Sequence, residues 1–228
     1  MVLNRGCLRP DRARSLRVAA VALWLLVAAV VPARGAPPDP GDQIFFSKSF
    51  PGSKPEYFEV GVDSEGNTSY REDPADQDPL VFTLGDQETR EVFDLAEKLA
   101  RFQRPLQADQ KVAFTGMKTL KYRTAAGGES GTEFTYSTDK DAQAIVQWFE
   151  RMGETERHRI ELERVVQFDR LGINKTILVF QAAFDAGRVV GARQFLPILK
   201  LVAGQSKFMH MARVRAAALV ERIEGQEP

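Results

Sequence analysis

The segment from residue 131 to residue 152 most constrains the fold, because it predicts a strand, a helix cap and a helix in immediate succession. Phe134 and Tyr136 alternate with polar residues, which is the spacing of a half-buried strand. Thr138 then begins a helix-capping pattern that Asp141 completes. Apolar residues recur beyond the cap at helical spacing, so we expect the strand and the helix to share one core. This apolar stripe consists of Ala142, Ile145, Phe149 and Met152.

The same order of elements occurs once more, nearer the N-terminus. Tyr70 lies 52 residues before Tyr122, at the matching place in the pattern. A helix predicted over residues 86–102, with Asp86 as its N-cap, follows the first copy. One strand–strand–helix unit cannot bury its apolar face alone, so two copies would share a single sheet. The offset therefore indicates a strand–strand–helix pseudo-repeat; a chance echo within an α+β protein is the alternative.

Alternating apolar and polar residues predict the other strands of the N-terminal half. Together with the two helices, these strands indicate an α+β fold built on an antiparallel sheet. The predicted strands cover residues 43–49, 56–63, 67–72, 80–84, 111–115 and 118–124.

The sequence after Met152 predicts helices only. Gly153 is expected to end one helix, and the next is predicted from Thr155 to Leu171. Short connections favour antiparallel neighbours, so we expect a C-terminal antiparallel α-helical bundle. Two further helices are predicted over residues 175–186 and 192–203, and Pro197 is expected to delay the start of the second to Phe195. Ser206 is predicted to cap the last helix. Its apolar stripe consists of Met209, Ala212, Ala216, Leu219 and Ile223.

Trp148 is predicted to join the two halves. It is adjacent to Phe149, so the two side chains point about 100° apart on a helix. Phe149 belongs to the stripe that should face the sheet, and Trp148 is therefore expected to be buried against the helical half, chiefly against Ile177–Phe184. The predicted domains are a signal peptide at 1–35, a Pro-rich linker at 36–42, an α+β domain at 43–153, and an α-helical region at 154–228 packed on that domain.

Residues 1–35 have the organisation of a secretory signal peptide. Arginines precede an unbroken apolar run from Val18 to Val31, which is shorter than the roughly 20 residues needed to span a membrane. Small residues occupy positions −3 and −1 of a cleavage site before Ala36. We therefore expect export to the periplasm or the cell exterior; an uncleaved segment that tethers the chain to the inner membrane is the alternative.

The charge balance changes when residues 1–35 are set aside. The whole chain has 31 basic and 31 acidic residues, but this segment holds six of the former and one of the latter. The remainder is therefore net acidic, which argues against nucleic acid as a partner. The single cysteine, Cys7, also lies in this segment, so the rest of the chain has no thiol for a disulfide, a metal ligand or a nucleophile.

One predicted helix carries residues that could hold a metal ion. Glu154, His158 and Glu161 have a spacing that places two carboxylates and one imidazole on the same side of a helix. Ion pairs within this highly charged helix are an equal alternative, and His158 also fits a partly buried, hydrogen-bonded histidine. The only other histidine, His210, lies between two methionines and is predicted to pack beside them.

No sequence motif fixes a chemistry. The chain contains no nucleophile elbow of the G-x-S-x-G type, no P-loop and no dinucleotide-binding fingerprint. Accordingly, no catalytic residue, no cofactor-binding residue and no cofactor is predicted.

Several short motifs carry a resemblance. They are F-P-G with P-x-Y (Phe50, Pro51, Gly52, Pro55, Tyr57), then Gly66 and Tyr70, Asp169-Arg170-Leu171-Gly172, and Leu196-Pro197-x-Leu199. In these motifs the chain resembles exported bacterial proteins of uncharacterised function, over most of its length after the signal peptide. This resemblance implies no activity. The helix pair over residues 196–223 is also similar to a HEAT-type helical hairpin, which would imply a protein-binding surface.

The sequence favours an exported, non-enzymatic binding or protein-interaction protein of the bacterial envelope or periplasm. Its partner would be an envelope protein or another extracytoplasmic ligand. This interpretation depends on the signal peptide and on the lack of catalytic motifs. One alternative is a metal-dependent hydrolase that uses Glu154, His158 and Glu161. The other is an envelope protein tethered by an uncleaved signal peptide.

Overall fold

The computed structural model describes residues 39–225, which form an antiparallel sheet with two helices on one face, followed by a bundle of helices. The predicted α+β class and the C-terminal helical bundle are confirmed. The predicted signal peptide at residues 1–35 and the first three residues of the linker predicted at 36–42 lie outside the described residues. Among the described helices, none is both long enough and apolar enough to cross a membrane.

Six antiparallel strands build the sheet. They are β1 (Gln43–Ser49), β2 (Tyr57–Asp63), β3 (Asn67–Arg71), β4 (Leu80–Thr83), β5 (Met117–Arg123) and β6 (Glu129–Phe134). Their order across the sheet is β4-β3-β2-β1-β5-β6. Alternate side chains of each strand point to the helices, which is why Ile44 and Phe46 are buried while Phe45 between them is partly exposed.

The first helix, α1 (Asp86–Lys98), begins and ends differently from the prediction. Gly85 is the N-cap residue, and its N–H donates to the Glu88 carboxylate at 3.1 Å. Asp86 is therefore the first helical residue and not the cap, because this bond closes the helix end at Gly85. The helix stops before residues 100–102, whose φ angles of 53°, 52° and 61° form a left-handed turn.

The second helix, α2 (Lys140–Phe168), runs through the predicted break at Gly153. A Cβ atom at Gly153 would lie 3.1 Å from the ring of Phe58 on β2, so glycine here allows a close approach of the sheet. The residue therefore serves helix–sheet packing and does not end the helix. The helix is capped by Asp139, and not by Thr138, since the Asp139 carboxylate accepts the N–H of Asp141 at 2.9 Å.

The two predicted strand–strand–helix units are present as β3-β4-α1 and β5-β6-α2. They flank the central strands β1 and β2. Tyr70 on β3 pairs with Val60 on β2, and Tyr122 on β5 pairs with Ile44 on β1. Both tyrosine side chains are buried. The two tyrosines therefore occupy corresponding places on either side of the central strand pair.

The strand predicted over residues 111–115 is wrong, because residues 105–116 have no regular secondary structure. Val112 and Phe114 supply the alternation that predicted it, yet both side chains are exposed. The segment is held at the end of β6 by a side chain: the Thr115 hydroxyl donates to the Thr135 carbonyl at 2.9 Å. An alternating pattern without a buried face does not specify a strand.

The C-terminal bundle contains α3 (Ile173–Asp185), α4 (Leu196–Gly204) and α5 (His210–Glu224) in addition to the end of α2. A short 3₁₀ turn at Ala192–Phe195 precedes α4, which confirms the delayed start of that helix. The last helix begins at His210 and not just after Ser206, since the intervening residues form a turn in which the Phe208 N–H donates to the Gln205 carbonyl at 3.2 Å. In the bundle, α3 packs on α2 and α5, and α4 packs on α5.

The buried side chains form two hydrophobic cores, one between the sheet and the first two helices and one within the bundle. In the first core the ring of Phe149 stacks on Phe46 of β1, with centroids 4.8 Å apart. This contact confirms that the Phe149 stripe faces the sheet. The long helix α2 contributes to both cores, and the described residues 39–225 belong to one compact unit.

Trp148 is buried, as predicted, but the predicted partners are wrong. Ile177 and Phe180 belong to the second core, whereas Trp148 belongs to the first. The side of α2 that carries Trp148 meets α1, since Arg151, one turn further along, pairs with Glu91 of α1 at 3.7 Å. Helix α1 is therefore the neighbour of Trp148 on this side of α2, where the helical bundle was predicted.

Candidate functional site

A groove of about 430 Å³ opens between the loop that follows β1 and the middle of α2. The loop folds back at Ser53, whose hydroxyl shares its proton between the carbonyls of Phe50 (2.7 Å) and Pro55 (2.6 Å). The loop is thus a defined wall opposite the helix. We call this hollow the cationic groove; its lining residues are Lys48, Phe50, Ser53, Lys54, Pro55, Phe58, Tyr70, Gln147, Glu150, Arg151, Gly153, Glu154, Arg157 and Arg188.

Two aromatic rings contributed by the sheet form the floor of the cationic groove. Phe58 and Tyr70 lie on neighbouring strands with ring centroids 6.1 Å apart. The Tyr70 hydroxyl donates to the Glu72 carboxylate at 2.8 Å. Burial, reinforced by this hydrogen bond, raises the pKa of Tyr70 well above its ordinary value. The phenol is therefore neutral, and the floor is an apolar surface.

Positive charge dominates the walls of the cationic groove. Five cationic and two acidic side chains line it. Glu150 pairs with Lys48 at 2.7 Å, and Glu154 pairs with Arg188 at 3.1 Å. Both carboxylates are thus already neutralised, and Arg151 pairs with Glu91 of α1. Two positive charges remain in surplus, those of Lys54 and Arg157.

Lys54 and Arg157 are the cations best placed to meet a ligand. Arg157 lies on α2 and donates from Nη1 to the backbone carbonyl of Lys54 across the groove, at 3.2 Å. Within the described residues neither side chain forms an ion pair, whereas Arg151 is directed to Glu91. Sequence reasoning did not predict this arrangement. Lys54 and Arg157 are 103 positions apart, and only the fold brings them together.

The residues predicted to hold a metal come together only in part. His158 Nε2 lies 3.8 Å from Glu154 Oε1, which is too long for a direct hydrogen bond. Glu161 instead accepts two hydrogen bonds from Arg164, at 2.8 and 2.7 Å, and this bond lowers the pKa of Glu161. Across residues 39–225, no cluster of three or more His, Cys, Asp or Glu side chains could hold a metal ion.

His158 packs in the second core beneath the cationic groove. Its ring lies 6.2 Å from the ring of Phe180, and burial lowers the pKa of the imidazole. The neighbouring Glu154 carboxylate opposes this effect, while Arg157 and Arg188 add to it. The side chain is therefore a neutral, partly buried histidine, as one sequence interpretation predicted, but among the described residues its Nε2 has no hydrogen-bond partner.

Glu156 is the one fully buried carboxylate on α2. One of its oxygens accepts a hydrogen bond from Gln194 Nε2 at 2.7 Å, and the other lies 3.8 Å from Arg159. Burial raises its pKa from an ordinary value of 4.5 to about 7, although Gln194 and Arg159 both oppose the increase. Glu156 does not line the groove, so it affects stability and not ligand contact.

His210 and its neighbours are more exposed than predicted. Met209 and Met211 are both exposed, and His210 lies at the start of α5 beside a separate hollow. Met209 was expected on the buried stripe but precedes the first residue of α5, so the helical pattern does not apply to it. The rest of the stripe is buried as predicted: Ala212, Ala216, Leu219 and Ile223.

No family model matches the sequence, and no curated protein shows significant similarity to it. The chemistry available in the cationic groove is therefore the basis for a function. Its cations can bind and orient an anion, and its aromatic floor can contact an apolar group. No histidine is among its lining residues, and both of its carboxylates are held in ion pairs.

Proposed function

We propose that the protein is an exported, non-enzymatic binding protein of the bacterial envelope or periplasm that holds a small organic anion in the cationic groove. The observation that carries the proposal is the surplus of two positive charges on the groove walls, in a chain whose remainder after residue 35 is net acidic. Export is supported by the signal-peptide pattern of residues 1–35.

The charge of the ligand follows from Lys54 and Arg157. Both are cationic donors without a carboxylate partner, and they lie on opposite walls of the groove. Hydrogen bonds in which the donor and the acceptor are both charged are about twice as strong as neutral ones. An anionic group between the two side chains would therefore gain two such bonds without breaking an ion pair.

The size and polarity of the ligand follow from the floor. A volume of about 430 Å³ lies within the range of small-molecule sites. Phe50 and Pro55 also line the groove and are partly exposed, so they offer apolar surface that an inorganic ion would leave uncovered. An organic anion with an apolar body therefore fits better than phosphate or sulfate.

The proposal can be tested by thermal unfolding of the form that begins at Ala36. We expect phenyl phosphate or benzoate to raise Tm with increasing concentration, because a ligand that binds only the folded state stabilises it by mass action. Neutral benzamide should not. Arg157→Gln should abolish the increase in Tm, and 0.5 M salt should weaken it in the wild type.

A matched control is available on the same helix. Arg164 is also exposed, but it pairs with Glu161 and does not line the groove. Arg164→Gln should keep the full response to the anions. The proposal is wrong if benzamide stabilises the protein as much as benzoate does, or if Arg157→Gln responds to the anions like the wild type.

A further inference from the structure

A second hollow, of about 380 Å³, lies on the opposite part of the molecule between α3 and α5. Arg215 Nη1 donates to Gln181 Oε1 at 2.6 Å, and Arg222, two turns further along α5, pairs at 2.7 Å with Asp185, one turn further along α3. These successive links show that the two helices lie side by side and run in the same direction. A shallow groove therefore follows both helices; we call it the α3/α5 groove.

One end of the α3/α5 groove is apolar and exposed. Met211 and Val214 on α5 are 63% and 54% exposed, and Leu178 on α3 is 47% exposed. Met211 and Val214 line the groove, and Leu178 lies one turn before Gln181, the α3 residue that lines it. Single exposed apolar residues are ordinary, but a contiguous group beside a groove is typical of an interaction site.

The other end of the α3/α5 groove carries positive charge that the protein does not balance. Arg215 contacts only the neutral amide of Gln181, and its buried Nε has no hydrogen-bond partner. In the part of the chain that the structure describes, Arg215 forms no ion pair. No carboxylate is among the residues lining the groove, and His210 also lines it. A guanidinium without a carboxylate partner can form strong charge-assisted hydrogen bonds, so this site favours an incoming carboxylate.

We infer that the α3/α5 groove binds an amphipathic helix of a partner protein that carries at least one carboxylate side chain. Apolar residues spaced three or four apart on that helix would cover Leu178, Met211 and Val214. A carboxylate one or two turns away would accept hydrogen bonds from the Arg215 guanidinium. A second copy of this chain fits poorly, because a symmetric pairing would bring together two copies of a surface whose lining has no carboxylate.

Site-specific photo-crosslinking of the full chain, in the cells that produce it, tests this inference. The photoreactive residue benzoylphenylalanine replaces Met211, and in a control it replaces Val81 on β4, which is 67% exposed and far along the chain from the groove. We expect an adduct at position 211 and none at 81. Mass spectrometry should place the cross-linked peptide in a segment with apolar residues at helical spacing and at least one Asp or Glu.

Two further variants, made in the chain with the photoreactive residue at position 211, separate the charge from the apolar contact. Arg215→Glu should lower the yield of the adduct about tenfold, because attraction to the carboxylate becomes repulsion. Val214→Asp, a surface change, should lower it to a similar extent. Lys140→Glu reverses an exposed charge at the start of α2 and should leave the yield unchanged.

Three outcomes would overturn the inference. The first is an adduct with lipid or with a second copy of this chain. The second is the lack of any adduct at position 211, or equal adducts at positions 211 and 81. The third is a yield that neither Arg215→Glu nor Val214→Asp changes, with circular dichroism showing both variants folded. None of these outcomes bears on the cationic groove, so the two proposals can fail independently.

Discussion

The hydroxyl of Thr155 accepts a hydrogen bond from the backbone N–H of Val190, at 3.1 Å, in the buried region between the two cores. Thr155 lies on α2, and Val190 lies in the segment that joins α3 to α4. Although it follows the bundle helix α3, Val190 packs in the first core. The hydrogen bond therefore connects the segment after α3 to the middle of α2, the helix that contributes to both cores.

Replacing Thr155 with Val should destabilise the protein by about 1–3 kcal/mol, because valine has a similar shape but leaves the buried Val190 N–H without an acceptor. Thr155→Ser is the control, since serine keeps the acceptor oxygen and loses only a methyl group. Chemical denaturation of the two variants measures the difference. Equal midpoints for Thr155→Val and the wild type would show that the bond contributes nothing to stability.

Truncation of Trp148 tests the first core. Trp148→Ala should lower the free energy of unfolding by about 3–5 kcal/mol, as large aromatic truncations in cores do. Trp148→Phe should cost less, because it leaves a smaller cavity. Far-UV circular dichroism in denaturant gives both values. A midpoint for Trp148→Ala equal to that of the wild type would contradict the buried position of this side chain.

Truncation in the second core tests whether the two cores unfold together. The ring of Phe195 stacks on Phe180 in the bundle, with centroids 4.1 Å apart. Phe195→Ala should cost about 3–5 kcal/mol. Trp148 in the first core is the only tryptophan after residue 35, so its fluorescence reports on that core alone.

If the molecule unfolds as one unit, Phe195→Ala should shift the fluorescence midpoint of Trp148 as far as the midpoint from circular dichroism. If the α+β part and the bundle are separate domains, the fluorescence midpoint should stay at the wild-type value while the helical signal shifts. Coincident transitions in the wild type alone would not decide the matter, since two domains of equal stability also give them.

Local patterns predicted the elements of this fold well, because those patterns arise from burial of one face. The stripe with Phe149 repeats at helical spacing and does face the sheet, through Phe46. The pattern failed where a distant contact overrides the local signal. Gly153 is a typical helix end in the sequence, but the ring of Phe58 occupies the space beside it and the helix continues. Nothing near Gly153 in the sequence indicates that ring.

The candidate site was less predictable than the fold, because its parts come from distant segments. The spacing of Glu154, His158 and Glu161 correctly placed two of them together, but it could not reveal that Arg164 would bind Glu161. The charges that matter in the cationic groove meet across two elements. The sequence shows that Lys54 and Arg157 are charged, but it does not show that they are neighbours in the fold.

The buried carboxylate of Glu156 gives a test of pH dependence, and its sign follows from the direction of the pKa shift. The pKa of Glu156 is about 7 in the folded protein, against an ordinary value of 4.5. The folded state therefore holds this proton more tightly than the unfolded state does. The contribution to stability is complete below pH 4.5 and is lost as pH rises to about 7. The loss amounts to about 3 kcal/mol.

Glu156→Gln removes this titration and keeps an oxygen that can accept the hydrogen bond from Gln194. The variant should match the wild type near pH 4 and exceed its stability by about 3 kcal/mol at pH 8. The measured quantity is the difference between the two free energies of unfolding, from denaturant titrations across that interval. His158 titrates in the same range with the opposite sign, since burial lowers its pKa, but it is present in both proteins and largely cancels in the difference. A difference that does not change with pH would show that the pKa of Glu156 is the same in the folded and unfolded states, and would contradict the increase caused by burial.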